Sequence, residues 1–347
     1  MTTVDAHPAM PPEAAAAQQL LQIATGHIVA AALSVALELR IADHVDEPRS
    51  ADELAKRTGA NADALYRVLR ALASVGIFEE TTPRTFQHTL ASRMMQSRDP
   101  RSPYALIRFL CDSKHFVVFS ELMESVKTGK PAVEKVFGVP GFEAFRRDPE
   151  WSASFNDAMT TFSAQVIPAA LDAYDFGDVG TLVDVAGGHG EVLIQTLKRY
   201  PHMRGVLYDV DHVIEGARPR LAAAGLQDRA DAVAGDFFSD VPPGGDVYLM
   251  KHIIHDWDDE KAGTILKNVH RALAGRANGK VILLESVIQP GNHPDPGKVI
   301  DLEMLAFPGG RERTADEFGS LFQANGFTMG RIVPTKSPLC VIEARPS

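Results

Sequence analysis

The sequence predicts an α/β fold: a doubly wound, mostly parallel sheet whose last strand is antiparallel, preceded by a mainly helical segment of winged-helix type. Three observations predict it. Leu182-Val183-Asp184-Val185-Ala186-Gly187-Gly188-His189-Gly190 reads as a buried strand that runs into a glycine turn and opens a helix through Val192, Leu193, Leu197 and Tyr200. From about Asp175 strand-like and helix-like runs alternate, which calls for parallel strands joined by crossover helices in a Rossmann-like arrangement. Ser50 to Gln96 reads as a helix-turn-helix followed by a short hairpin.

Taken in order, residues 1–17 read as a tail and not as a signal peptide, because no basic segment precedes an apolar core. Gln18 to His44 is helical in pattern and apolar on nearly every face, around Ala30, Leu33, Val35 and Leu37. Such a helix needs a cover, and a partner subunit is one. No stretch reads as membrane-spanning, since the most apolar run, Ile28 to Leu37, is about half the ~20 residues required. Ser50-Ala51-Asp52-Glu53 forms a capping box, and Asn61 caps a second helix carrying Leu65, Val68, Leu69, Leu72 and Val75 as far as Gly76. Ile77-Phe78-Glu79 and Thr85-Phe86-Gln87 supply the hairpin.

A DNA reader concentrates Lys and Arg on its second helix and wing. Here Lys56, Arg57, Arg67, Arg70, Arg84 and Arg93 are nearly balanced by Asp52, Glu53, Asp63, Glu79 and Glu80, so residues 18–102 read as an association scaffold. Residues 103–174 are helical in pattern and rich in Phe and Met; Phe155, Met159 and Phe162 suit the wall of an aromatic substrate site. Residues 175–347 carry the sheet, and its last two strands follow each other too closely for a crossover helix, so they pair antiparallel.

A net charge of −10 opposes binding to nucleic acid phosphates or to an anionic membrane surface. Cys111 and Cys340 lack metal-type spacing, suggest neither disulfide nor zinc, and fit a reducing cytoplasm.

Asp209 closes an apolar run about twenty residues after the glycine turn, a position suited to a ribose diol. The glycines alone leave open a methyl-donor nucleoside, a purely structural turn, and a dinucleotide, whose fingerprint needs a further glycine where this chain has Leu193. More motifs follow: Gly235-Asp236-Phe237-Phe238, Lys251-His252-Ile253-Ile254-His255-Asp256-Trp257, a strand ending at Glu285, and Gly309-Gly310-Arg311-Glu312-Arg313-Thr314. Together they resemble the S-adenosylmethionine-dependent O-methyltransferases of the plant caffeate type and their bacterial relatives in aromatic natural-product pathways, from roughly Leu20 to the C-terminus.

The resemblance implies a homodimer that methylates a hydroxyl of a small aromatic molecule. It implies that S-adenosylmethionine meets backbone at Ala186, Gly187 and Gly188, with Asp209 on the ribose, Asp236 and Phe237 on the adenine, and Lys251 beside them. Ala186 replaces the family's first turn glycine; its backbone groups remain, but its Cβ disfavours a positive φ. His255 is implied as general base, with Glu285 and Glu312 fixing its tautomer. No metal is expected, because the His252/His255 pair lacks a third ligand of recognisable pattern, and Asp256 reads as a helix cap. The nearest alternative within the class is an N-methyltransferase, or a relative that uses the same cofactor site for hydroxylation or decarboxylation. A ligand-sensing DNA-binding regulator is the alternative of another class, opposed by the charge balance.

Overall fold

A computed structural model describes residues 11–99 and 101–347. The chain divides into two compact units, Met1–Asp112 and Ser113–Ser347. In the first, helix Pro12–Glu38 begins inside the segment read as a tail, whose first ten residues lie outside the described residues. Pro12 suits the first helical position, where its missing N–H would have had no partner. The helix ends earlier than the sequence suggested, because Arg40 takes a left-handed φ of 51° and Ile41–His44 forms a 3-10 turn. Its 27 residues are long and apolar enough to cross a membrane by length and composition, which corrects the shorter run read from the sequence. Leu20, Leu21, Ile23 and Ile28 are 58–71% exposed, while Ala36 and Leu37 are buried.

The capping box at Ser50 forms as expected, with Glu53 N–H donating to Ser50 Oγ at 3.2 Å and Ser50 N–H donating to Glu53 at 2.9 Å. Asn61 accepts from Ala64 N–H at 3.0 Å. Helices Ala51–Thr58 and Ala62–Ser74 pack with strands β1 (Arg49–Ser50), β2 (Phe78–Thr82) and β3 (Thr85–His88) around Leu54, Leu69, Phe78 and Phe86. Arg84, in the turn of the wing, faces Asp52 at 3.3 Å and Asp63 at 3.8 Å. Helix Tyr104–Leu110 belongs to this unit, with Tyr104 OH donating to Leu37 O at 3.1 Å. The helical region read at 103–174 is thus divided between the two units.

The second unit holds seven strands, β4 (Thr181–Val185), β5 (Arg204–Asp209), β6 (Ala230–Ala234), β7 (Val247–Lys251), β8 (Lys280–Glu285), β9 (Phe327–Pro334) and β10 (Cys340–Pro346). Their order is β6-β5-β4-β7-β8-β10-β9. The first five run parallel, and β10 is antiparallel to both neighbours. Because side chains alternate across a strand, Leu182 and Leu207 join one core with helices Pro149–Ala173, Glu191–Arg199 and Asp211–Ala223. Val183 and Tyr208 join the other, with helices Asp259–Ala272 and Ala315–Ala324. The winding reverses between β4 and β7, so loops on either side part at their carboxyl ends and leave a crevice, which is where the glycine turn lies.

Candidate active site

β4 ends at Val185 and the chain turns through Ala186, whose φ is 54°. The alanine thus adopts the conformation its Cβ was read as resisting, held by donation of its N–H to Tyr208 O at 2.7 Å. At Gly187 no side chain fits: a Cβ would lie 2.5 Å from both the Asp184 carboxyl group and Leu207. Gly188 N–H donates to Asp209 Oδ2 at 2.8 Å and Val210 N–H to Oδ1 at 2.7 Å. Burial raises the pKa of Asp209, while these two donors pull it down and fix the carboxylate at the end of β5. Beyond β6, a Cβ at Gly235 would meet the Tyr208 hydroxyl at 2.3 Å, so only glycine lets the next residues approach. Asp236 accepts from Phe238 N–H at 2.9 Å, and Asn268 holds Phe237 O at 2.7 Å.

A cavity of about 440 Å³ is lined by Ala186, Gly187, Gly188, Asp209, Asp236, Phe237 and Lys251, so the seven residues singled out for the cofactor meet in one place. Phe155 and Met159 wall it, together with Phe142, Phe145 and Trp257. Phe162 does not line it; its ring instead packs 5.0 Å from that of His252. The sequence reading missed Asp184, which lies on the floor with neither carboxyl oxygen partnered among the described residues. Burial raises its pKa to about 7, against the pull of Lys251. The lysine in turn is lowered by desolvation, against the pull of Glu285 and Asp184. A buried carboxylate and ammonium facing one cavity, beside a cradle that tolerates no Cβ, fit a ligand with a zwitterionic end.

At the end of β7, His252 takes a φ of 53° while its N–H still donates to Leu284 O at 3.1 Å. This left-handed residue turns the chain so that the N–H groups of Ile253, Ile254 and His255 converge on Glu285 Oε1, at 3.1, 2.9 and 3.4 Å. Such a concavity of amides binds an anion. His255 Nδ1 lies 2.7 Å from Glu312 Oε1 and 3.8 Å from Glu285 Oε2. When the ring is neutral, donation from Nδ1 to Glu312 leaves the lone pair on Nε2. Burial pulls the imidazole pKa down, but Glu285, Asp256 and Glu312 outweigh it and raise it to about 9.

The Gly-Gly-Arg-Glu-Arg-Thr segment clasps this turn. A Cβ at Gly310 would lie 1.9 Å from His255 O, the oxygen to which Arg311 N–H donates at 2.8 Å. The buried Arg313 guanidinium donates to Ile254 O at 3.0 Å, Trp257 O at 2.9 Å and Asp259 at 2.8 Å. Thr314 then caps helix Ala315–Ala324.

His255, Glu285 and Glu312 sit behind the cavity lining, which here consists of His252, Ile253, Asp256 and Trp257. Asp256 is not the cap it was read as: Asp258 accepts from Lys261 N–H at 2.8 Å, while Asp256 lies 3.5 Å from His255 Nε2. Burial raises the Asp256 pKa to about 6, against the pull of His255. The fold also supplies what spacing did not, since Glu285 joins His252 and His255 with ligand atoms within 4.8 Å of one another. One oxygen of that carboxylate is already held by three amides.

Residues 119–328 match the model of the O-methyltransferase domain, and residues 21–98 that of the O-methyltransferase dimerisation domain. The chain is 43% identical to a phenazine O-methyltransferase of Lysobacter antibioticus over 330 residues, covering 94% of this chain and 95% of the relative. A solved mitomycin 7-O-methyltransferase aligns with a TM-score of 0.90 at 33% identity, over 96% of this chain and 99% of its own. An O-methyltransferase of neocarzinostatin biosynthesis, solved with S-adenosylmethionine and 2-hydroxy-5-methyl naphthoic acid, aligns with a TM-score of 0.79 at 31% identity, over 91% and 95%. The chain belongs to the S-adenosylmethionine-dependent O-methyltransferase family, with that family's dimerisation domain over residues 21–98.

Proposed function

We propose that the protein methylates a hydroxyl of a small aromatic natural-product molecule, with His255 as the general base. The observation that carries this reading is an imidazole whose Nδ1 is committed to Glu312 at 2.7 Å, leaving Nε2 to accept, behind a cavity walled by aromatic rings. S-adenosylmethionine supplies a methyl group made electrophilic by its sulfonium. Asp209 accepts from the ribose diol, Asp236 from the adenine amine, and Phe237 packs on the adenine ring. Backbone at Ala186, Gly187 and Gly188, with Asp184 and Lys251, receives the amino-acid end. Phe142, Phe155 and Trp257 supply flat apolar surface for the acceptor, and the relatives' phenazine and naphthoate ligands have that shape.

A phenol titrates near ~10, and a base held at about 9 is closer to it than a free imidazole. Proton transfer in concert with attack is correspondingly less uphill. The carboxylates that create this match also keep the resting imidazole protonated at neutral pH. A cation bound in the cavity opposes that proton, so cofactor binding and readiness of the base are coupled. Once His255 holds the substrate proton, Glu312 and Glu285 stabilise the imidazolium. No step calls for a metal ion.

The assembly we propose is a homodimer in which helix Pro12–Glu38 is covered by the second copy. Two free thiols suit a reducing cytoplasm, and the pairing of Arg84 with Asp52 and Asp63 leaves the wing ill-suited to nucleic acid.

Calorimetry is expected to show binding of S-adenosylmethionine, weakened by about 1.5–3 kcal/mol in Asp209→Ala, the worth of a hydrogen bond to a charged group; unchanged affinity would remove Asp209 from the site. His255→Ala is expected to lower the chemical rate on a neutral phenol about 10²–10⁴-fold with cofactor affinity nearly intact. In the wild type, kcat/KM on that phenol should rise with pH until His255 loses its proton, near pH 9. Glu312→Gln removes a carboxylate that favours the imidazolium, so the rising limb should move to lower pH; a limb that stays in place refutes the assignment. Light scattering should give twice the chain mass, and aspartates at Leu20 and Ile23 should abolish that species. A stable double-aspartate dimer would show that this helix is not the interface.

A further inference from the structure

The turn after β7 requires a left-handed residue at position 252, because that φ of 53° brings three amides onto Glu285. Glycine would adopt it freely, whereas a residue with a Cβ does so against steric resistance. The turn therefore accounts for the backbone at His252 and not for its ring. That ring has definite neighbours: its centroid lies 4.3 Å from that of His255, with 42° between the planes, and 5.0 Å from that of Phe162. Its Nε2 is buried without a hydrogen-bond partner among the described residues, and the residue lines the cavity.

From this geometry we infer that His252 is a positioning residue for methyl transfer, its ring holding the imidazole of His255 against motion out of its own plane. The inference rests on the reading of His255 as base. Glu312 fixes the base at one atom, Nδ1, at 2.7 Å. A ring held at one atom can still tilt about it, and a face contact removes that freedom. Phe162 backs His252, and Lys251 Nζ stands 5.5 Å from the centre of the Phe162 ring. A cationic ring here would repel the imidazolium formed at His255; burial, with His255 and Lys251 adding to it, keeps His252 neutral, well below the ordinary histidine value.

The test uses His252→Gly in the full-length enzyme, a substitution that suits the left-handed φ and leaves the amide concavity intact. Circular dichroism and the thermal transition should match the wild type, while kcat on a neutral phenol should fall ~10–100-fold with KM little changed, as small misplacements of a reacting group do. A phenol already ionised at the assay pH has no need of the base, so on it the variant should turn over at the wild-type rate. In a His255→Ala background the glycine should add nothing, since residues acting as a unit are not additive. Equal losses on ionised and neutral acceptors, an additive loss beside His255→Ala, or wild-type turnover on the neutral phenol would each overturn the positioning role. Failure of the base reading looks different: His255→Ala itself then methylates the neutral phenol at the wild-type rate, and this inference falls with it. Should the glycine variant misfold, His252→Asn, which also tolerates positive φ, is read by the same comparisons.

Discussion

A single carboxylate oxygen organises the catalytic half of the sheet. Glu285 ends β8 with no exposure to solvent, and an ionised carboxylate taken out of water is unfavourable unless donors replace the water. The donors are three consecutive amides of the turn after β7, and they converge only because His252 is left-handed. Parallel pairing sets Lys251 opposite Leu284, which brings that turn alongside the next residue, Glu285. Antiparallel pairing of Cys340 with Glu285 closes the other side of β8. The position of His255 is thus set by its own backbone holding a neighbouring strand's side chain, and Glu312 then needs to fix only the ring.

The same arrangement accounts for the separation of basicity from access. Three carboxyl groups near one imidazole raise its proton affinity, and two of them, Glu285 and Glu312, stand behind the cavity lining. Asp256 alone both faces the cavity and approaches Nε2, at 3.5 Å. The imidazole of His255 is consequently basic, buried and set just behind the cavity lining.

Much of this was legible in the sequence where function follows strand ends. Ala186, Gly187, Gly188, Asp209, Asp236, Phe237 and Lys251 each lie at or just past the carboxyl end of a parallel strand, so reading the strands was enough to gather them at one crevice. The failures have physical causes of another kind. Ala186 accepts a positive φ because donation of its N–H to Tyr208 O holds it, a contact between neighbouring strands that no local rule carries. Asp256 and Asp258 fit the cap pattern equally well; the 3-10 turn Ile254–Asp256 decides between them. Phe155, Met159 and Phe162 share a helical face, but the third packs on the His252 ring and does not line the cavity, although its neighbour Ser163 does. The first helix was read as starting at Gln18 instead of Pro12 because its early turns are alanine-rich, a signal of helix without any signal of amphipathicity.

Apart from Trp257, which closes the turn that carries His255, the proposed acceptor wall has a different origin from the groups it serves. Phe155 and Met159 come from helix Pro149–Ala173 and Phe142 and Phe145 from helix Gly141–Arg147, whereas the groups proposed to hold the methyl donor and to serve the base stand on or just beyond strands of the sheet or in the loop before Ala315. Changes of side chain along two helices can therefore reshape the space for an acceptor without moving the donor cradle or the imidazole. A lineage built this way is free to exchange one ring system for another while its transfer machinery stays fixed, and diversity of products can arise from a handful of wall positions.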